Sequence, residues 1–173
     1  LDYLVFNDAS VPDRTAFILG KSQEDPFPAL ADDITKATVA GASFIVLTCN
    51  TAHYFYDRFQ ALTPVPIFHM PRRAVSRMSS LYPADRRSRV GFMATEGSRK
   101  AGVYRKEIEA AGYTYVEPDE DLQRRINTLI YQDVKGSGKL DEGRYLAAMQ
   151  AFLNPHGPYR CDVVLLGCTE LSV

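Results

Sequence analysis

The stretch FIVLTCNTAH, residues 44–53, decides the fold, because it joins an apolar strand to residues that carry reactive groups. Its β-branched and aromatic residues predict a strand over residues 43–48 that is covered on both faces, as in a parallel sheet. Cys49 follows that strand directly, and a helical pattern begins at residue 51 and runs to residue 62. A thiol in this place is either a small apolar filler or a reactive group.

The rest of the chain continues this alternation of apolar runs and helical patterns. Strands are predicted at residues 3–6, 65–68, 89–94, 113–118 and 161–167. Helices are predicted at residues 28–40, 71–82, 98–112, 119–134 and 140–153, and a loop at residues 7–15. Strands that alternate with helices indicate an α/β fold, in which a parallel sheet carries helices on both faces.

Composition and charge narrow the class of protein. The 173 residues are 46% apolar and 24% charged, as in ordinary globular proteins. The formal net charge of −1 argues against a nucleic-acid or membrane-surface partner, and no apolar run approaches the roughly 18 residues that span a bilayer. Three cysteines without a CxxC pair argue against a disulfide scaffold or a zinc site, and they favour a reducing, cytoplasmic location.

A second cysteine stands in the same setting as Cys49. The segments ASFIVLTCNT and CDVVLLGCTE both place an apolar strand before a cysteine, so Cys168 is predicted at the end of the last strand. Ligands of open parallel sheets bind beyond the carboxyl ends of the strands, which predicts that both thiols face one cleft. A helix that begins after Cys49 favours its thiolate. Cys161 begins its strand, and we interpret it as structural.

Two thiols on opposite sides of one carbon can remove a proton from one face and return it on the other. That exchange inverts a stereocentre and needs no metal if hydrogen-bond donors hold the carboxylate of the carbanion. The alternative is that both cysteines are buried and inert.

Two further side chains near the predicted cleft have open interpretations. Arg14, in VPDRT, either grips a carboxylate or forms a surface salt bridge with Asp13 or Asp8. His53 lies one helical turn after Cys49, where it assists the thiol, ligates a metal, or packs and caps. We favour the packing role for His53, because the sequence offers no third metal ligand nearby.

Four short segments carry a resemblance to a known family. VPDRT, TCNTAH, VGFMAT and GCTE together resemble the aspartate/glutamate racemase superfamily, most of all its aspartate racemases, over nearly the whole chain. The resemblance implies two pseudo-symmetric α/β domains, each a mainly parallel sheet flanked by helices, with the active site in the cleft between them. It implies an isomerase that acts on a small amino acid without pyridoxal phosphate, another cofactor or a metal, and that is often a homodimer.

The resemblance also implies a role for each matching residue. Cys49 and Cys168 are the acid/base thiols. The residues that hold the α-amino and α-carboxylate groups are Asn50, Thr51, Thr95 and Thr169. Arg14 and Lys135 match positions that bind a substrate carboxylate. Glu170 stands where the glutamate racemase branch has histidine, so it favours aspartate and is counted among the substrate-binding residues.

The resemblance divides the chain at residue 70. Residues 1–70 form an N-terminal α/β domain that lacks the first strand and helix of the family. Residues 71–173 form a C-terminal α/β domain that lacks the return segment after GCTE. We therefore expect either a fragment or a trimmed stretch of a longer protein.

The predicted function is the interconversion of L- and D-aspartate by proton transfer between two cysteines and the α-carbon. Three alternatives stay open: a racemase for glutamate or a broader set of amino acids, an isomerase of the maleate isomerase type, and a carboxylate-binding protein with inert cysteines. Two cysteines argue against a decarboxylase that uses one.

Overall fold

The computed structural model describes residues 2–85 and 89–172 and confirms the α/β class. The helices are α1 Arg14–Ile18, α2 Phe27–Val39, α3 Tyr56–Gln60, α4 Met70–Leu81, α5 Glu96–Ala101, α6 Val103–Ala110, α7 Glu120–Asn127 and α8 Glu142–Leu153. The strands are β1 Ile45–Val46, β2 Ile67–Phe68, β3 Arg89–Met93, β4 Thr114–Val116 and β5 Val163–Leu166. Further helical turns are the 3₁₀ segments Thr51–Phe55 and Thr169–Leu171 and the π-helix Thr128–Ser137.

The described strands form a two-stranded sheet and a three-stranded sheet, and every pairing is parallel. In the first, β1 lies beside β2, with Ile45 opposite Ile67. In the second the order is β4-β3-β5, and Gly91 on the central strand lies opposite Val116 and Val164. Parallel neighbours require crossover connections, which the intervening helices supply.

The three-stranded sheet is covered on both faces, as predicted. One face packs against α4 and α6 through a cluster that includes Val75, Phe92 and Ile108. The other face packs against α7, the π-helix and α8 through a cluster that includes Met93 and Phe152. Successive residues of β3 alternate between these clusters because side chains along a strand point to opposite faces.

The two-stranded sheet is covered on one face only, so the prediction that residues 43–48 are buried on both faces is wrong. A cluster of aromatic rings fills the covered face, where Phe27 stacks on Phe59 with ring centroids 5.2 Å apart. On the other face Phe44 is 46% exposed and Val46 is 50% exposed. The regular strand is also shorter than predicted, at two residues.

Two predictions for the first part of the chain are wrong. Residues 3–6 form no strand, and their side chains are exposed, Tyr3 by 82%. An apolar run becomes a strand only where a partner strand offers hydrogen bonds, and none pairs with this segment in the described part of the chain. Residues 14 and 15, predicted as the end of a loop, belong to α1, which begins there because the Asp13 carboxylate accepts a hydrogen bond from the N–H of Ala16 at 2.7 Å.

Later helices also differ in detail from the sequence prediction. Residues 98–112 form two helices rather than one, because Gly102 adopts a left-handed φ of 69° between α5 and α6. The helix predicted over residues 119–134 is α7 continued by the π-helix as far as Ser137. Within residues 2–85 and 89–172, none of the helices combines the length and the apolar character of a membrane span. The domain boundary at residue 70 stays a prediction.

Candidate active site

A cavity of about 230 Å³ opens between the two sheets, beyond the carboxyl ends of β1, β3 and β5. All the predicted site residues line it: Arg14, Cys49, Asn50, Thr51, Thr95, Lys135, Cys168, Thr169 and Glu170. Asp13, Thr15, Thr48, Tyr131 and Gly167 complete the lining. The cavity therefore joins a thiol from the end of each sheet with two cationic side chains and several hydroxyl and amide groups.

Arg14 reaches the cavity from α1. Its Nη1 atom donates hydrogen bonds to the carbonyls of Val11, at 3.3 Å, and Pro12, at 3.0 Å. In the described part of the chain it forms no ion pair with Asp8 or Asp13, so the surface salt bridge left open by the sequence is absent there. These carbonyl bonds hold the guanidinium at the cavity wall while its charge stays available to an anion.

Cys49 follows β1, and the chain then turns into the 3₁₀ segment Thr51–Phe55. His53 in that segment is buried and fixes the turn, because its Nδ1 lies 3.0 Å from the Cys49 carbonyl and its Nε2 accepts from the N–H of Met70 at 3.2 Å. Burial lowers the pKa of His53 below 6.5, although the bond to the Cys49 carbonyl opposes that shift. His53 is outside the cavity lining, so its role is to pack and hold the turn.

Hydroxyl groups from the two sheets meet beside Cys49. The Thr51 Oγ1 atom lies 2.9 Å from the Ser98 Oγ atom and 3.4 Å from the Thr95 Oγ1 atom. Thr95 caps α5, since its hydroxyl accepts from the N–H of Ser98 at 3.1 Å. This buried network places Thr51 and Thr95 side by side on the cavity wall.

Cys168, Glu170 and Lys135 form a chain of contacts in the cavity wall. The Cys168 thiol donates to Glu170 Oε2 at 2.7 Å, and Lys135 Nζ lies 3.4 Å from Glu170 Oε1. Burial, together with the bond to the Glu170 carboxylate and its charge, raises the pKa of Cys168 from 9.0 to about 12. The pKa of Glu170 is lowered: burial opposes the shift, but the hydrogen bonds that the carboxylate accepts, first of all from Cys168, together with the Lys135 charge outweigh it. Cys168 is therefore a neutral thiol beside a carboxylate at neutral pH.

Five lining residues are not among the predicted site residues, and one of them, Thr48, directly precedes Cys49. Thr15 directly follows Arg14, and Gly167 directly precedes Cys168. Both residues could therefore have been found from the predicted site residue beside them. Tyr131 stands four residues before Lys135 on the same helical segment, and the Lys135 Nζ atom lies 5.0 Å from the centre of its ring. Asp13 was considered only as a salt-bridge partner, and it caps α1 instead.

A second cavity of about 240 Å³ adjoins the first. The two share Asp13, Thr15 and Tyr131 as a common wall. Across that wall the Tyr131 hydroxyl donates to the Thr15 hydroxyl at 3.4 Å, a long hydrogen bond. The far side of the second cavity carries a cation and an anion, Lys21 and Glu96, whose charged atoms lie 4.0 Å apart.

Two parallel sheets flanked by helices meet at one cavity, and each sheet contributes one cysteine to it. These features define the class of the protein as an α/β protein with a two-cysteine site. Over residues 1–173 the chain matches the Asp/Glu/Hydantoin racemase family, and it belongs to that family. This match and the fold confirm the resemblance seen in the sequence motifs.

Curated relatives at low identity are amino-acid racemases. The broad specificity amino-acid racemase RacX of Bacillus subtilis is 26% identical over 144 residues, which are 83% of this chain and 59% of that protein. The glutamate racemase of Desulforudis audaxviator is 26% identical over 135 residues, 75% of this chain and 45% of that protein. The chain thus spans about half the length of the curated relatives it matches.

Solved structures show the same fold. The aspartate racemase of Picrophilus torridus superposes with a TM-score of 0.77 at 23% identity, covering 98% of this chain and 67% of that one. An aspartate racemase homologue from Pyrococcus horikoshii gives a TM-score of 0.69 at 23% identity, covering 91% of this chain and 67% of that one.

Proposed function

We propose that this protein is a cofactor-independent amino-acid racemase that interconverts the enantiomers of aspartate. The observation that carries the proposal is the convergence of Cys49 and Cys168, from the ends of two sheets, on one cavity that also holds Arg14 and Lys135. Family membership and the names of its relatives support the reaction class. A cytoplasmic homodimer, expected from the cysteine content and the resemblance, is part of the same proposal.

The two thiols act on opposite faces of the α-carbon. In one direction Cys49 takes the α-proton and Cys168, held as a neutral thiol, gives its proton to the other face. The reverse direction starts from the state that the forward reaction leaves, in which Cys168 is the thiolate that takes the α-proton and Cys49 is the thiol that gives its proton to the other face. Inversion follows because the proton leaves from one face and returns to the other.

Polar groups around the thiols hold the substrate. Asn50, Thr51, Thr95 and Thr169 bind the α-amino and α-carboxylate groups, and their N–H and O–H groups stabilise the carboxylate as it gains enediolate character. The cationic groups bind the carboxylate of the substrate side chain, which favours an acidic amino acid. Those cations are Arg14 and Lys135.

Glu170 is assigned to substrate binding through its partners. It pairs with Lys135 and accepts from Cys168, so a substrate carboxylate that competes for Lys135 also changes the charge beside the thiol. We propose that Glu170 couples occupation of the carboxylate site to the protonation state of Cys168.

Incubation of the purified protein with L- or D-aspartate in deuterium oxide tests the proposal. We expect both enantiomers to appear, with deuterium at the α-carbon of the product. Cys49→Ala and Cys168→Ala are expected to abolish interconversion, whereas Cys161→Ala, which removes a buried thiol outside the cavity, retains it. Racemisation at the native rate by either cavity variant contradicts two-thiol chemistry. Turnover of maleate without turnover of aspartate indicates the isomerase instead.

A broad-specificity racemase is the second candidate, favoured by the adjoining cavity. The second cavity shares Asp13, Thr15 and Tyr131 with the first, and its volume lies beside the substrate site, where it can take a side chain longer than that of aspartate. RacX, one of the curated relatives, is named for broad specificity. Chiral analysis of a panel of amino acids separates the two candidates, since an aspartate enzyme converts aspartate well ahead of glutamate and of the neutral amino acids.

A further inference from the structure

A buried hydrogen bond joins the cavity wall to a tyrosine behind it. The Tyr104 hydroxyl, on α6, donates to the Oδ1 atom of Asn50 at 2.5 Å. Tyr104 is 2% exposed and Asn50 is 7% exposed, so both partners of the bond are buried. Asn50 lines the cavity and Tyr104 does not, which makes the tyrosine the outer partner of the pair.

The phenol at this position acts as a hydrogen-bond donor. Burial raises the pKa of Tyr104 well above its ordinary value of 10, so the O–H proton stays in place. Within residues 2–85 and 89–172 its hydroxyl has no second hydrogen-bond partner. If the Asn50 amide were turned around, the phenol would accept from the amide and its own proton would be buried without an acceptor, which is costly.

This contact sets which end of the Asn50 amide meets the cavity. Because its carbonyl oxygen is held by Tyr104, its NH₂ group is the end that remains for a ligand. An NH₂ group donates to a carboxylate, whereas an amide carbonyl in the same place repels it. Tyr104 is held in turn by packing against Phe92, with ring centroids 4.8 Å apart.

We propose that Tyr104 is a positioning residue of the active site, which holds the Asn50 amide with its NH₂ group toward the substrate carboxylate. The inference rests on the proposed function, because it needs a carboxylate substrate in the cavity. It adds a residue from a different part of the chain to the site and explains why a phenol is buried against a polar wall.

Tyr104→Phe removes the hydroxyl and keeps the ring. We expect KM for aspartate to rise about tenfold while kcat changes less, because the lost hydrogen bond orients the amide that binds the carboxylate. Tyr113→Phe is the matched control: Tyr113 is 4% exposed, and its hydroxyl donates to the Tyr82 carbonyl at 2.6 Å, outside the cavity lining. The control is expected to keep the native KM.

A double-mutant cycle shows whether Tyr104 acts through Asn50. In an Asn50→Ala background Tyr104→Phe is expected to have no further effect on KM, because the amide it orients is gone. An independent variant, Asn50→Asp, keeps an acceptor for Tyr104 and replaces the NH₂ donor by a carboxylate oxygen. We expect it to weaken aspartate binding more than Asn50→Ala does.

The outcomes separate this inference from the proposed function. Calorimetric titration with aspartate and the racemisation assay are run on the unmodified protein first, and failure of both contradicts the proposed function. If the unmodified protein binds and racemises aspartate, three results each overturn the role of Tyr104. They are an unchanged KM in Tyr104→Phe, an equal effect of Tyr104→Phe in the Asn50→Ala background, and native aspartate affinity in Asn50→Asp.

Discussion

Replacement of Glu170 by glutamine is predicted to make the Cys168 thiol more acidic and faster to alkylate. In the structure the thiol donates to a carboxylate oxygen of Glu170 at 2.7 Å. A thiolate formed there faces a negative charge and loses its acceptor, so the carboxylate favours the protonated thiol. Glutamine has a similar size, carries no charge, and offers an NH₂ group that can donate to a thiolate.

The magnitude follows from the pKa of Cys168, which is raised from 9.0 to about 12. At about 1.4 kcal/mol per pKa unit, that rise corresponds to about 4 kcal/mol in favour of the thiol. Burial is its largest cause and persists in the variant, so loss of the carboxylate charge removes only part of the rise. A neighbouring charge changes a pKa by about one unit or more. With a pKa of about 12, roughly one Cys168 in 10,000 is a thiolate at pH 8. A pKa lower by about one unit raises that fraction about tenfold.

The assay is the rate of alkylation by iodoacetamide between pH 7 and 10, followed separately for each cysteine by peptide mass spectrometry. We expect Glu170→Gln to raise the rate at Cys168 about tenfold below its pKa. Lys135→Met is the opposite control, because the Lys135 charge lowers the pKa of Cys168 and its loss slows the reaction. An unchanged rate at buried Cys161 excludes general unfolding. A Cys168 rate in Glu170→Gln equal to or below the native rate refutes the reasoning.

Two further predictions concern the framework of the site. A Cβ atom added at Gly97 lies 2.5 Å from the Thr15 Oγ1 atom and 2.8 Å from the Thr15 Cα atom. Gly97→Ala is therefore expected to lower the free energy of unfolding by about 1–3 kcal/mol and to weaken aspartate binding. A urea midpoint equal to the native one contradicts this prediction. Because the folded-state pKa of His53 is lowered below 6.5, the unfolded chain binds more protons below pH 6.5, and stability is lost as pH falls through that range. The pKa of His69 is also lowered by burial, so His69 adds to the loss of stability. The native protein and His53→Gln are therefore compared by urea unfolding at pH 7 and pH 5, and the variant is expected to lose less stability between the two. Equal losses of stability contradict the assignment to His53.

Much of the site could be predicted because its motifs lie directly after strands. β5 is a continuous apolar run, and the chain leaves it at Gly167, so Cys168 has to appear at the edge of the sheet. The same logic placed Cys49 after β1, even though that strand is shorter and more exposed than predicted. Arg14 was placed near the cleft by its position in the chain and by its motif, and a short helix with an Asp13 cap does the positioning.

What the sequence could not supply depends on contacts between distant residues. An apolar pattern at residues 3–6 does not reveal whether a partner strand is present, and in the described chain none pairs with it. The protonation state of Cys168 depends on a 2.7 Å contact and on burial, which the motif GCTE does not encode. Tyr104 and Asn50 are far apart in the sequence, so rules based on residue spacing do not predict the hydrogen bond between them.

The unequal sheets give the two thiols supports of different rigidity. Among the described strands β1 and β5 each have one neighbour, but Cys49 follows a strand of two residues with an exposed face, whereas Cys168 follows a strand of four residues on a sheet packed on both sides. Backbone amides in short, half-covered strands open more easily, so hydrogen exchange is expected to be faster at β1 than at β5. We therefore expect that ordering the cavity around a ligand costs more entropy on the Cys49 side than on the Cys168 side.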